Sequence, residues 1–195
     1  EVTDPSDLVN VLPGLSPAGM TSVLPFGGNN SQGSTNIDGY VVPQGASPPH
    51  AQHRSIDERN FAALGIPIVA GRNFAPHESE PVVIIDEVFA DKYWPGRSPL
   101  GRRLQRNLEP ADRWYTIIGV VPAVKHASLA DTTIKETLYW HYEQRPEPVA
   151  VLALRTVVPP GQLGNAVTAA IASLDPQVAL SDAGPVAHRI GASLG

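Results

Sequence analysis

The stretch that decides the fold class is Val82-Val83-Ile84-Ile85-Asp86-Glu87-Val88-Phe89-Ala90-Asp91-Lys92-Tyr93-Trp94-Pro95-Gly96. Its first four residues are β-branched and apolar, which is typical of a buried strand. Asp86 follows as an N-cap residue and predicts a helix from Glu87 in which Phe89 and Tyr93 share one face. Pro95-Gly96 then ends the helix. A strand that runs directly into a capped helix indicates a mixed α+β domain.

The same patterns predict the elements on either side of this stretch. A short helix should end at Pro13-Gly14, another at Gly65, and a third, over residues 163–174 with one apolar face, at Asp175-Pro176. Apolar or alternating runs predict strands over residues 18–24, 37–42, 66–74, 82–85, 100–104, 115–121, 138–142, 149–157 and 178–180. The run 100–104 is basic, and we expect it at an edge of the sheet.

Composition and charge restrict the function classes. The chain has 195 residues, with 14 Lys and Arg against 19 Asp and Glu, a net charge of −5 and no basic run. Nucleic acid is therefore not an expected partner. Apolar runs stay shorter than the roughly 18 residues that predict a membrane span. The absence of cysteine from the sequence excludes disulfides, zinc ribbons and thiol nucleophiles.

Motifs that could carry chemistry each lack a required part. Residues 28–35 space their glycines like a phosphate loop, but Ser34 stands where the lysine must be. His50 and His53 have the spacing of metal ligands only on a helix, whereas the extended pattern there places them on opposite faces. The G-x-S-x-G nucleophile motif does not occur in the sequence. We therefore predict no nucleotide, metal or other cofactor in this domain, and no enzymatic activity.

Several motifs, in their order and spacing, resemble one family. They are Gly65-Ile66-Pro67-Ile68-Val69-Ala70-Gly71-Arg72-Asn73-Phe74, residues 82–96, Pro99-Leu100-Gly101-Arg102-Arg103, Tyr115-Thr116-Ile117-Ile118-Gly119-Val120-Val121 and Leu174-Asp175-Pro176-Gln177-Val178. Together they resemble the MacB-like periplasmic core domain of ABC-transporter permeases of the MacB/FtsX type. Leu24-Pro25-Phe26-Gly27-Gly28-Asn29-Asn30 is similar to the branch of large, duplicated permeases in that family.

The resemblance implies a periplasmic or extracytoplasmic domain, anchored by flanking transmembrane helices. The expected fold is a porter-like α/β lobe, over residues 1–57 and 115–195, with a second mixed α/β lobe inserted at residues 58–114. The expected partners are the membrane helices of the same permease and its ATPase, with a periplasmic adaptor or other extracytoplasmic protein as a further candidate. The expected role is to couple ATP-driven motion of the membrane helices to export or mechanotransmission.

A glycine-rich loop is the first candidate site. Residues 26–33 are polar turn formers that cannot bury their backbone groups cheaply, and exposed loops on a rigid sheet are where partners often bind. We expect Phe26, Asn29 and Asn30 to be the contact residues of this loop. A connection without any binding role is an equal alternative.

The last helix, from Pro185, is the second candidate site. Val186, Ile190 and Leu194 give it an apolar stripe, which we expect to continue into the second membrane helix as a coupling lever. Gly191 is the weak point of that helix, either as a hinge or as a small residue under a neighbouring helix.

Two other function classes stay open on the sequence alone. A free-standing extracytoplasmic module that binds a ligand or partner would share the acidic, turn-rich composition, and an exposed aromatic platform would favour it. Trp94, Trp114 and Trp140 instead lie in apolar or strand patterns that are typical of core positions. A hydrolase with an unrecognised site is the other alternative.

Overall fold

The computed structural model describes residues 15–24, 31–107, 110, 112–125, 134–147, 151–156, 159, 163–174 and 184–185. The strands of this part of the chain are β1 (Leu15–Thr21), β2 (Gln32–Ile37), β3 (His50–Ile56), β4 (Ala70–Gly71), β5 (Val82–Asp86), β6 (Arg103–Arg106), β7 (Tyr115–Val121), β8 (Thr137–His141) and β9 (Val151–Thr156). Its helices are α1 (Asn60–Leu64), α2 (Glu87–Tyr93) and α3 (Gly164–Leu174). The predicted α+β class is confirmed.

Six strands close into a ring, in the order β2, β6, β7, β5, β8, β3. The ring closes at β2, whose residues 32–34 pair with β3 and whose residues 35–37 pair with β6. The pairs β3–β8 and β5–β7 are parallel, while β5–β8 and β6–β7 are antiparallel. A parallel pair requires a crossover connection, and for β5 and β7 this connection contains α2 and β6.

The ring encloses the main hydrophobic core, because alternate residues of each strand point inward. All six strands contribute to one buried cluster: Ile37, Ala51, Val83, Ile85, Leu104, Tyr115, Ile117, Leu138 and Trp140. Trp140 is 1% exposed, and its Nε1 donates to Nδ1 of the buried His53 at 2.9 Å. Burial lowers the pKa of His53 to about 4. This histidine is therefore a neutral core residue at physiological pH.

A second cluster covers the outer face of β5, β7 and β8. The residues of β5 that point outward pack with Phe61 of α1 and with Phe74. The connection from α1 to β5 lies over this face and includes β4, which pairs with the second half of β7. Glycine is required at this approach, because a Cβ on Gly119 would lie 2.4 Å from the carbonyl oxygen of Arg72.

The remaining elements, β1, β9 and α3, form a smaller layer that we call the β1–β9 layer. β1 and β9 are antiparallel. The buried face of α3, with Val167, Ala170 and Ile171, packs against Leu152 and Leu154 of β9. This confirms the apolar face predicted for residues 163–174. The layer joins the ring where Thr21 of β1 pairs with Ile56 of β3.

Residues 82–96 fold as their sequence predicts. β5 leads directly into α2, and Oδ1 of Asp86 accepts a hydrogen bond from Phe89 N at 2.8 Å as the N-cap. Oδ2 accepts from Thr137 N at 2.9 Å, a contact that no local pattern indicates. Asp86 is fully buried, and burial raises its pKa to about 7. One carboxyl group thus fixes the end of β5 and the starts of α2 and β8.

Three strand predictions are wrong. The strand expected over residues 37–42 lies at Gln32–Ile37, because the chain turns at Gly39, which has a positive φ of 76°. The run 66–74 is a strand only at Ala70–Gly71, since its apolar side chains pack as an irregular cover on the outer cluster. The basic run 100–104 enters β6, which is not at an edge but is paired with both β2 and β7.

The predicted division of the chain, with an inserted lobe at residues 58–114, stays a prediction. β5 and β6 lie within that range, and they pair with β2, β7 and β8 in the ring.

We expect Asp86→Ala to lower the free energy of unfolding by about 2–4 kcal/mol, because two buried N–H groups would lose their acceptor. Urea denaturation followed by circular dichroism measures this loss. Asp91→Ala, at an exposed position of α2, is the control and should change stability by less than about 0.5 kcal/mol. Equal effects of the two substitutions would contradict the role of Asp86.

Candidate functional site

The candidate functional site is the junction where the β1–β9 layer meets the ring. The chain after β1 stays hydrogen-bonded to β3: Ser22 N donates to Ser55 O at 2.7 Å, and Ser55 N donates to the Ser22 hydroxyl at 3.0 Å. Two residues earlier on the β1 side, Asp57 N donates to Met20 O at 3.1 Å. These backbone contacts make the layer and the ring one hydrogen-bonded body at the junction.

Asp57 is the polar centre of the junction. It is 6% exposed, and its Oδ1 accepts a hydrogen bond from Met20 N at 2.9 Å. Its Oδ2 is buried and has no hydrogen-bond partner among the described residues. Burial raises the pKa of Asp57 to about 6, although the N–H of Met20 acts in the opposite direction. The N–H of Asn60 acts in the same direction as that of Met20, but burial is the larger effect, so the junction favours the neutral carboxyl group over the ionised one.

β1 and α1 approach each other closely at Gly19. A Cβ at this position would lie 2.5 Å from Cα of Asn60, the first residue of α1, and 2.8 Å from its backbone nitrogen. These atoms belong to the backbone and cannot move aside as a flexible side chain could. Asn60 itself is 1% exposed. The close approach of β1 and α1 therefore requires glycine at position 19.

The far end of α1 is held by the β1–β9 layer as well. Gly65 ends the helix in the left-handed conformation, with φ of 72°, as the sequence predicts. Arg155 of β9 donates from Nη2 to the carbonyl oxygen of Ala63 at 3.3 Å, near the C-terminal end of α1. A cation at this end also interacts favourably with the helix dipole.

α1 therefore contacts both parts of the fold. On one side, Phe61 packs edge-on against Tyr139 of β8, with ring centroids 5.0 Å apart. On the other side, Ala63 packs with Leu24 and with Ala153 of β9. The five residues of α1 form a short connecting piece between the ring and the β1–β9 layer.

The named residues of the candidate sites predicted from the sequence lie outside the described residues. This holds for the contact residues Phe26, Asn29 and Asn30, and for the coupling-helix residues Val186, Ile190, Gly191 and Leu194. The expected strand at 178–180 and the first short helix lie outside them too. These sites stay predictions. The last two positions of the predicted 26–33 loop are described and belong to β2 instead, because they pair with β3.

The residues of the rejected motifs are placed as expected. Ser34 lies in β2, not at the start of a helix. His50 is exposed while His53 is buried, so the two point to opposite faces of β3. Within the described ranges, no group of three His, Asp or Glu side chains could hold a metal ion. Trp94 and Trp140 are buried and Trp114 is half-buried, as the core interpretation predicts.

The junction residues Gly19, Asp57 and Asn60 were missed by the reasoning from sequence. Asp57 and Met20 are 37 positions apart, and no periodicity connects them. The available signals were a glycine inside a predicted strand, which often marks a close backbone approach, and Gly65 as the end of a helix.

The sequence and the fold can be compared with known proteins. The family model of the MacB-like periplasmic core domain matches residues 5–180. The match spans most of the chain, so the chain belongs to this family. It is therefore a periplasmic domain of the kind found in ABC-transporter permeases, and its place is on the extracytoplasmic side of the membrane. Among proteins with curated descriptions, none matches the chain in sequence.

Solved structures of similar proteins share the fold. A domain of a putative permease from Porphyromonas gingivalis superposes with a TM-score of 0.59 at 18% identity, over 86% of this chain and 68% of that one. The periplasmic region of MacB from Actinobacillus actinomycetemcomitans gives 0.55 at 20% identity, over 87% and 72%. The extracellular domain of the noncanonic ABC-type transporter YknZ from Gram-positive bacteria gives 0.58 at 12% identity, over 92% and 86%.

No helix among the described residues combines the length and hydropathy that crossing a membrane requires.

We expect Gly19→Ala to lower the free energy of unfolding by about 1–3 kcal/mol, because the new Cβ forces the backbones of β1 and α1 apart. Gly164→Ala is the matched control, since a Cβ at Gly164 meets nothing within 4 Å. The control should be neutral or slightly stabilising. Urea denaturation of both variants measures the difference, and equal stabilities would contradict the close approach.

Asp57→Asn should change how stability depends on pH. The pKa of Asp57 is raised to about 6 in the fold, so its contribution to stability is present at acidic pH and is lost as the pH rises through about 6. Asn keeps an acceptor for Met20 N but does not ionise. Between pH 4 and pH 7, the variant should therefore gain on the order of 2 kcal/mol relative to wild type. Urea midpoints across this range measure the gain, and parallel pH profiles would contradict it.

Proposed function

We propose that this domain couples ATP-driven motion of the permease's membrane helices to movement outside the membrane, for export or for mechanotransmission. The observation that carries the proposal is the junction: α1 is packed against the ring on one side and against β1 and β9 on the other. Among the described residues, the contacts that would carry force from the β1–β9 layer to the ring lie at this junction.

The route to the membrane is part of the same proposal. In the permeases that the chain resembles, membrane helices flank the extracytoplasmic domain. The helix that the sequence predicts from Pro185, with Val186, Ile190 and Leu194 on its apolar face and Gly191 as its weak point, would be the lever. α3, which precedes it in the chain, belongs to the β1–β9 layer. Motion of the lever would therefore reach this layer first.

The ring would be the part that acts on other molecules. Its closed hydrogen bonding and its core from six strands give a stiff body that can be displaced without deforming. The partners of the complete assembly would be the membrane helices of the same permease, its ATPase and an extracytoplasmic protein such as a periplasmic adaptor. The loop with Phe26, Asn29 and Asn30 is proposed as one contact surface for that protein. No covalent chemistry and no cofactor are part of this role.

The role of the junction can be tested in the full-length permease with its ATPase in lipid nanodiscs. A fluorophore attached through Val41→Cys reports on the ring, because Val41 is 85% exposed on the connection between β2 and β3. We expect its signal to change between the nucleotide-free and ATP-bound states. Gly19→Ala should reduce this change at least about twofold while ATP hydrolysis continues, because a strained junction transmits less displacement.

Gly164→Ala is the control and should leave both signal and hydrolysis unchanged. Arg155→Ala, which removes the donor to Ala63 O, is a second and milder way to loosen the junction. If the fluorescence signal of the wild-type permease is the same with and without ATP, the proposed coupling is wrong. If the signal changes equally in all variants, coupling takes another path.

A further inference from the structure

The segment from Arg72 to Glu80, which we call the strap, connects β4 to β5 and is fastened by polar side chains. Arg72 donates from Nη1 to Oε2 of Glu78 at 2.7 Å. Asn73 donates from Nδ2 to the carbonyl oxygen of Glu58 at 2.6 Å, which attaches the strap to the residues before α1. The strap is therefore ordered without a helix or strand of its own.

Two side chains of the turn after β8, Glu143 and Gln144, fasten the strap. Gln144 donates from Nε2 to the carbonyl oxygen of Glu78 at 2.7 Å. Nδ1 of His77 lies 2.8 Å from Oε1 of Glu143. His77 also has a positive φ of 51°, which is uncommon for a residue other than glycine. The strap thus crosses the end of β8 in a conformation that these contacts maintain.

Beneath the strap lies His141, the last residue of β8, which is 2% exposed. Phe74 of the strap packs edge-on against its ring, with centroids 5.3 Å apart, and is itself 4% exposed. Neither ring nitrogen of His141 has a hydrogen-bond partner among the described residues. Buried polar atoms almost always have such a partner, so this imidazole is an exception that the fold maintains.

Among the described residues near His141, no carboxylate is free to pair with a positive charge on this imidazole. Burial lowers the pKa of His141, the carboxylates of Glu143, Glu58 and Glu78 act against this effect, and His77 adds to it. Each of these carboxylates already has a cationic or histidine partner: Glu143 has His77, Glu58 has Arg59 and Glu78 has Arg72.

We propose that the strap is an acid-operated latch, which leaves the end of β8 when His141 takes up a proton. The imidazolium can be solvated only if water enters where Phe74 lies. It can form an ion pair with Glu78 or Glu143 only if that carboxylate leaves a contact that fastens the strap. A pair with Glu58 would move the residue whose carbonyl oxygen holds Asn73 of the strap. Each route loosens the strap and exposes Phe74. A buried histidine that controls a packed segment is a general design for a pH switch.

The direction of the effect follows from thermodynamic linkage. A histidine whose pKa in the fold lies below the unfolded value of about 6.5 stabilises the closed state above that pH, and this contribution is lost as the pH falls. His53 shifts in the same direction, but it lies in the ring core. Asp57 and Asp86 shift upward and favour the fold as the pH falls. Only a measurement local to the strap separates these effects.

Hydrogen exchange of the 195-residue chain, measured by mass spectrometry at pH 7.5, 6.5 and 5.5, tests the latch. After correction for intrinsic rates, peptides covering residues 72–80 should exchange about tenfold faster at pH 5.5 than at pH 7.5, since local opening sets exchange rates. Peptides from the ring strand β7 should not change. Strap protection that is independent of pH in the wild type would overturn the proposal.

His141→Asn and His141→Phe remove the titration in two different ways, and the strap should then exchange at the same rate at every pH. Asn73→Ala is the matched control, because it should loosen the strap at all three pH values and keep the pH dependence. If the dependence persists in a folded His141 variant, the proposal is wrong. In the wild type, the NMR titration midpoint of His141 must also coincide with the midpoint of strap opening, and a mismatch would overturn the proposal even without the variants.

Discussion

The fold depends on hydrogen bonds along both edges of one short strand. Residues 32–34 of β2 pair with β3, and residues 35–37 pair with β6, so that six strands become a closed ring. Closure brings Leu104, Tyr115 and Trp140 from distant parts of the sequence into one core. The basic strand β6 can lie between two others because its side chains alternate between the two faces of the ring. Arg103 is exposed and binds Asp38, while the neighbouring Leu104 is buried in the core. If β2 left either neighbour, the core would open to water.

A closed ring leaves few places where other elements can attach. The β1–β9 layer attaches at the end of β3 and the residue after it. Thr21 pairs with Ile56 there, and Asp57 Oδ1 accepts a hydrogen bond from Met20 N. The strap attaches at the end of β8, the neighbour of β3 in the ring. α1 and the residues after it connect these two places along the chain. A displacement at the junction and an opening of the strap would therefore act on adjacent strands of the same rigid body.

Local interactions were predictable from the sequence, and long-range ones were not. The path from β5 through Asp86 into α2, and the end of α1 at Gly65, follow from a β-branched run, capping residues and Pro-Gly signals that lie within a few positions of each other. β2 has the sequence Gln-Gly-Ser-Thr-Asn-Ile, which shows little apolar alternation, and its partners lie near residues 51 and 105. The unpaired oxygen of Asp57 and the unpaired ring of His141 arise only from tertiary packing, so neither has a signal in the sequence.

The central claim is that the ring and the β1–β9 layer move as one body. Because the 195 residues contain no cysteine, Val41→Cys on the ring and Ala169→Cys on α3 can carry one spin label each, in a full-length permease freed of other cysteines. Double electron–electron resonance then gives the distance between them with and without ATP. The account predicts one narrow distance distribution that shifts by less than about 2 Å, as expected for a packed interface without a hinge. A second population, or a shift of more than about 5 Å on adding ATP, would show a hinge at the junction and contradict the claim.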